Sequence, residues 1–315
     1  MQVLRSLMFV PAHRPRMVER ALGLGEFVPS ALDVAILDLE DGVPPDEKDR
    51  ARAAIAAVLA LRSSREGPAR YVRVNRDIEG RGPDLAAVLR PGLDGIVAPK
   101  IDHADEVADL ARDLDEREDA AGIARGSVRL IPSIESARGL LEAHAIAGSS
   151  KRVIALLFGA EDFARDLSLP TEREAEAAEL VYARSAVVVA AVAARRYAID
   201  GIWPNVSDLD GLRRDAVQGR RLGFTGKSLI HPGHIDTINE LFSPSAAEVS
   251  YARRVVAAFE DGQTKGHGAV ALDGKLLDQP IVERARRTLL LHEAVSRKQR
   301  TPPVERPAAF GGEAF

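Results

Sequence analysis

Two carboxylates stand where apolar, strand-like runs stop. Glu135 lies in Ile131-Pro-Ser-Ile-Glu-Ser-Ala-Arg-Gly139 and Asp162 in Leu157-Phe-Gly-Ala-Glu-Asp-Phe163. Hard divalent cations such as Mg²⁺ take oxygen ligands, usually one or two protein carboxylates, with water and substrate oxygens completing the octahedron. This pair is therefore sufficient for a Mg²⁺ site if the fold sets the two run ends side by side. Further polar residues end other apolar runs: Glu40 and Asp41, Arg73 and Asn75, Lys100, and His231. Glu40 and Asp41, with Lys100 near them, suit orientation of metal-bound water better than direct ligation. For Lys100 and His231 a purely structural hydrogen-bonding role stays equally open.

Eight candidate strands must position these groups: Ser6–Pro11, Asp33–Asp41, Ala69–Asn75, Asp94–Ile101, Ser127–Ser136, Arg152–Asp162, Tyr197–Pro204 and Gly223–Pro232. Their starts are spaced by roughly 31 residues, the size of one strand-plus-helix unit. Alanine- and arginine-rich helical segments lie between them, among them Asp46–Arg62, His103–Glu118, Ala137–Ala147 and Glu172–Arg196. An open doubly wound sheet would accept the same alternation, but eight units fit a (β/α)₈ TIM barrel better, with its site at the C-terminal ends of the strands. The expected division is a catalytic barrel over 1–242, a C-terminal helical lid or oligomerisation segment over 243–300, and a mobile tail over 301–315. Within the lid, Ala246–Glu260 and Ile281–Lys298 read as helices and Gly262–Gly274 as a glycine-rich loop.

Composition narrows the function. The 315 residues are 46% hydrophobic and 29% charged with a net charge of −4, which describes an ordinary globular protein with no overall basic field for nucleic acid. There is no cysteine, so disulfides and thiolate chemistry are excluded. The apolar run at the N-terminus is too short for a signal peptide or membrane span, which makes the cytoplasm the default and a membrane partner unexpected. Gly223-Phe-Thr-Gly-Lys-Ser228 lacks the earlier glycine of a phosphate loop, since Arg221 stands there. His231 and His234 alone fall short of a zinc motif.

Taken in order, Arg5-Ser-Leu-Met-Phe-Val-Pro11, Ile36-Leu-Asp-Leu-Glu-Asp-Gly42, Arg73-Val-Asn75, Pro99-Lys100, Ile134-Glu-Ser-Ala-Arg-Gly139, Phe158-Gly-Ala-Glu-Asp162 and Gly226-Lys-Ser-Leu-Ile-His-Pro232 resemble the citrate lyase β-subunit family of CoA-ester lyases. The resemblance implies a Mg²⁺-dependent barrel enzyme, a homotrimer or hexamer, that cleaves or forms a carbon–carbon bond in a β-hydroxyacyl-CoA such as malyl-CoA or citramalyl-CoA. Its partners would be the CoA thioester and glyoxylate, pyruvate or a similar 2-oxo acid. By matching motif Glu135 and Asp162 would ligate Mg²⁺, with Glu135 also at the substrate, and Arg73 would bind and polarise the substrate. Chemistry supports that division of labour, because cleavage develops charge on two oxygens and a fixed guanidinium can meet the thioester oxygen.

The family's CoA-contacting aromatic, arginine and lysine map onto Phe9, Arg14 and Arg20, the last a departure from lysine. Arg16 lies between the two arginines, and guanidinium forks suit phosphate oxygens. Ala12-His13 replaces the family's Gly followed by a small or acidic residue and leaves the shape of the CoA loop open. Asp278, in Leu272-Asp-Gly-Lys-Leu-Leu-Asp-Gln-Pro280, matches a lid aspartate that reaches a neighbouring subunit's site as acid–base group; it can equally cap the helix that follows. The alternatives are a malyl-CoA-type thioesterase, a citrate lyase β-subunit acting on a carrier-protein thioester, and a non-catalytic CoA-binding protein.

Overall fold

Eight short apolar runs form eight parallel strands: β1 (Ser6–Pro11), β2 (Val34–Asp38), β3 (Ala69–Arg73), β4 (Gly95–Ala98), β5 (Arg129–Ile134), β6 (Ala155–Phe158), β7 (Tyr197–Asp200) and β8 (Gly226–Leu229). Each pairs with its neighbour in sequence, and β1 pairs with β8 to close the ring. The structure is a computed structural model and describes residues 2–24, 31–61, 67–170, 175–265 and 270–300. The expected mobile tail lies outside the described residues. With helices flanking the closed sheet, the architecture is a (β/α)₈ barrel.

Strand alternation explains the layering. Val34, Ile36, Tyr71, Val97, Ile131 and Ile199 fill the barrel interior, whereas Leu37, Val72, Ile96, Leu130 and Leu156 point outward into the layer beneath the helices. Continuing the inward parity toward the C-terminal ends puts Asp38 after Ile36, Arg73 after Tyr71 and Ser133 after Ile131, and the next inward step past Ser133 is Glu135. Register fixes the pairs, with Asp38 opposite Arg73 across β2 and β3.

The barrel unit carries α1 (Pro15–Leu22), α2 (Lys48–Ala60), α3 (Ile78–Val88), α4 (Ala104–Ala120), α5 (Ala137–Leu141), α6 (Ala143–Gly148), α7 (Ala160–Asp166), α8 (Val181–Ala193), α9 (Leu209–Leu222) and α10 (Ile235–Leu241). Local chemistry starts several of them. Asp77, Ser136 and Asp208 accept backbone N–H bonds from Gly80, Gly139 and Gly211 at the openings of α3, α5 and α9. Behind β7 and β8 a buried quartet ties strands to helices. Arg184 of α8 meets Asp200 at 2.6 Å and Asp215 at 3.0 Å, and Lys227 meets the same two carboxylates at 3.0 and 2.5 Å. Lys227 of the incomplete phosphate-loop motif is thus an outward-facing structural cation.

Leu4–Arg62 with Gly67–Ser243 form one compact unit, and the segment from Pro244 belongs to a second. In the second, α11 (Ala246–Thr264) and α12 (Gln279–Arg300) pack around Val255, Leu277 and Val282. Between them β9 (Val270–Leu272) and β10 (Lys275–Leu277) form an antiparallel hairpin. This departs from the glycine-rich loop expected over Gly262–Gly274. Gly262 is helical, and a Cβ there would lie 2.1 Å from Val270, so the glycine lets the hairpin approach α11. Asp273 and Gly274 both take positive φ, 50° and 75°, as a two-residue hairpin turn requires.

Two other expectations shift. Ala137–Ala147 is two short helices, because Glu142 at φ −95° and ψ 1° ends α5 and starts α6. The long helix expected over Glu172–Arg196 is, in its described part, a 3₁₀ stretch over Ala175–Leu180 followed by α8.

Candidate active site

The β2 and β3 ends build the rigid half of the site. Asp38 accepts from Arg73 Nε and Nη2 at 2.7 Å each, a two-pronged pair. The same carboxylate accepts the backbone N–H groups of Glu40 at 3.0 Å and Gly42 at 2.9 Å. Arg73 Nη1 also lies 3.0 Å from Glu40 Oε2, an ion contact without a directed hydrogen bond. Burial works against the Arg73 charge, but Asp38 first and Glu40 and Glu135 after it more than offset this, so the group holds its proton more firmly than usual. The Phe9 ring lies under the guanidinium at 4.7 Å and adds a cation–π contact.

Lys100 closes the flank. It takes a left-handed backbone, φ 52°, an uncommon state for a lysine. Its Nζ reaches Glu40 Oε1 at 2.5 Å and Asp41 Oδ2 at 2.7 Å. Burial raises the Glu40 pKa against the opposing pull of Arg73 and Lys100, whereas for Asp41 the Lys100 contacts overcome burial and lower it. Beneath them Lys48 Nζ holds the carbonyls of Leu39 and Glu40 at 2.6 and 2.8 Å and Asn75 Oδ1 at 2.8 Å. Asn75 also donates to Asp84, so it braces the loop.

Glu135 and Asp162 line one cavity of about 350 Å³ together with Phe9, Asp38, Asp41 and Arg73. Asp162 departs from its expected place on a strand: β6 stops at Phe158, and Asp162 sits in the first turn of α7. It pairs with the exposed Arg165 at 2.7 Å. Glu135 is 6% exposed, and its Oε2 is buried with no hydrogen-bond partner. Burial, then repulsion from Asp162, pushes its pKa up to about 7, with Arg73 pulling the other way. Gly159 makes room for it, since a Cβ there would stand 2.2 Å from Glu135 Cγ. An orphaned buried carboxylate oxygen beside a second carboxylate suits a hard cation. Among the described residues no group of three or more His, Asp or Glu side chains forms a metal cluster.

The structure thus brings Phe9, Glu40, Asp41, Arg73, Lys100, Glu135 and Asp162 to one barrel end. Arg14 and Arg20 stand exposed at the start and in the last turn of α1, and from that helix it is Met17 that reaches the cavity wall. His231 accepts the Gly233 N–H at 3.1 Å and starts the short 3₁₀ turn after β8. Asp278, exposed in the second unit, accepts from Ile281 N at 3.1 Å at the head of α12. Sequence reasoning passed over Asp38 and Lys48. The signal for Asp38 was parity, two residues past inward Ile36 and two before Glu40; for Lys48 there was none.

Residues 5–232 match the sequence model of the HpcH/HpaI aldolase/citrate lyase family. The chain belongs to that family. It is therefore an enzyme of a family that cleaves carbon–carbon bonds, citrate lyase β-subunits among them. Among family relatives, the citrate lyase subunit beta of Haemophilus influenzae is 37% identical over 297 residues, 94% of this chain and 98% of the relative. A (3S)-malyl-CoA thioesterase of Cereibacter sphaeroides is 34% identical over 296 residues, 93% of this chain and 95% of the relative. In the crystal structure of the protein CitE from Mycobacterium tuberculosis in complex with magnesium, acetoacetate and coenzyme A, the match has a TM-score of 0.73 and 28% identity, covering 93% of this chain and 100% of that one.

Proposed function

We propose that this family member is a Mg²⁺-dependent lyase that cleaves or forms the carbon–carbon bond of a β-hydroxyacyl-CoA such as malyl-CoA or citramalyl-CoA. The observation that carries the reading is Glu135 Oε2, buried without a partner in the cavity that Asp162 and Arg73 also line. Glu135 and Asp162 would hold the ion, with Glu40, Asp41 and Lys100 orienting the water around it. A bound Mg²⁺ would supply Lewis acidity to the oxygens of the 2-oxo-acid fragment, glyoxylate or pyruvate.

Arg73 performs the other half. Cleavage turns the hydroxyl-bearing carbon into a carbonyl and leaves an enolate on the acyl-CoA fragment, so negative charge grows on the thioester oxygen. A guanidinium already fixed by Asp38 and held cationic meets that charge without reorganising. Phe9, Arg14 and Arg20 are assigned to the CoA moiety. Asp278 is assigned as the acid–base group in a neighbouring copy's cavity, within a homotrimer or hexamer.

The similarity to a (3S)-malyl-CoA thioesterase favours one further reading, hydrolysis of a malyl-CoA-type thioester, which would use the same cavity and metal. The metal claim has its own test. Calorimetric titration of Mg²⁺ should give a single site in the wild type and affinities reduced by roughly tenfold or more in Glu135→Gln and Asp162→Asn, since each loses one of two ligand charges. A doubly substituted chain that binds Mg²⁺ as the wild type does would remove the assignment.

A further inference from the structure

Asp38 is assigned no role among the metal ligands or acid–base groups, yet hydrogen bonds occupy both of its carboxylate oxygens. Its Oδ1 accepts Arg73 Nε at 2.7 Å and the Glu40 N–H at 3.0 Å; its Oδ2 accepts Arg73 Nη2 at 2.7 Å and the Gly42 N–H at 2.9 Å. Four charge-assisted or backbone bonds saturate both oxygens. The carboxylate so bound is 2% exposed, and both its oxygens are committed within the protein. Its geometry does something else. It holds one edge of the Arg73 guanidinium and, from the same two oxygens, the loop that carries Glu40 and Asp41, whose carboxylates in turn hold Lys100.

We propose that Asp38 is the positioning residue of the site, holding the Arg73 guanidinium in the plane that faces substrate and away from Glu135. The proposal rests on the lyase reading only for its kinetic consequence. Arg73 feels three carboxylates, Asp38, Glu40 and Glu135. Without Asp38 the guanidinium turns its free edge toward the other two, and pairing with Glu135 would occupy the oxygen that is otherwise unpartnered. Gly42 belongs to the same device: a Cβ there would lie 2.3 Å from Asp38 Oδ2, so the position accepts no side chain while the carboxylate stays in place.

A double-mutant cycle separates positioning from a general structural role. With malyl-CoA and citramalyl-CoA as probes, Asp38→Asn should lower kcat by roughly 10- to 100-fold, the scale of a displaced electrostatic stabiliser, while KM moves far less. In an Arg73→Gln background the same change should cost less than about twofold, because the group through which it acts is gone. An equal loss in both backgrounds would overturn the proposal. Gly42→Ala, which keeps the charge, serves as the second variant where Asp38→Asn does not fold, with the same non-additivity expected. Crystal structures of the wild type and the variant give a readout independent of turnover: the guanidinium should leave its wild-type plane, and an unmoved guanidinium would contradict the clamp. A wild type inactive on both thioesters would count against the lyase reading and leave the structural comparison to judge Asp38.

Discussion

Glu135 concentrates the electrostatic cost of the site in one side chain. A carboxylate whose folded pKa is raised to about 7 keeps its proton where the unfolded chain has lost it. Between about pH 4.5, its unfolded value, and about pH 7 the folded state binds more protons, so this group's contribution to stability falls as pH rises, by on the order of 3 kcal/mol across the window. The metal-free wild type should therefore lose stability relative to Glu135→Gln over that range in urea titrations at stepped pH, and a pH-independent difference would contradict the account. With Glu135 as the proposed Mg²⁺ ligand, Mg²⁺ affinity should climb as pH rises through about 7. Glu135 and Arg73 were legible as charged groups ending apolar runs. For Asp38 the parity of its run marks an inward position, but its pairing was not legible, because the partner Arg73 lies 35 residues away on the next strand.

Strands β1 to β8 were readable because each is a run of four to six residues whose alternation serves two apolar layers. Their ends were harder. The run through Asp162 continues in composition past Phe158, but the chain turns into α7 at Gly159, where Glu135 takes the space. The Asp273-Gly274 pair was a hairpin signal that the surrounding glycines hid. At this scale the buried quartet makes a sharp prediction. Lys227→Met leaves Arg184 facing Asp200 and Asp215 alone, an uncompensated buried charge costing about 3–5 kcal/mol in chemical denaturation; a loss below about 1 kcal/mol would show that the interior absorbs the charge. On α1, Arg14→Ala should weaken CoA-thioester binding, more at low salt than at high, because an exposed phosphate contact is screened. Unchanged affinity for free CoA would return Arg14 to a helix-start role.

At the scale of the molecule, the barrel carries Glu135, Asp162, Arg73 and the cavity they line, while Asp278, proposed as the acid–base group, belongs to the second unit. Among the described residues no helix is long and apolar enough to cross a membrane. If Asp278 serves a neighbouring copy, Asp278→Asn and Glu135→Gln chains, each inactive alone, should regain activity when co-assembled, since some cavities then combine an intact metal pair with an intact lid. No recovery at any ratio, with subunit exchange verified by mass, would place Asp278 in its own subunit's site or leave it as the cap of α12. The most direct measurement is product analysis of the purified chain on malyl-CoA and citramalyl-CoA, with Mg²⁺ and with chelator. The account predicts Mg²⁺-dependent release of glyoxylate or pyruvate together with acetyl-CoA and no free thiol; free malate or citramalate with CoA as the first products would contradict it.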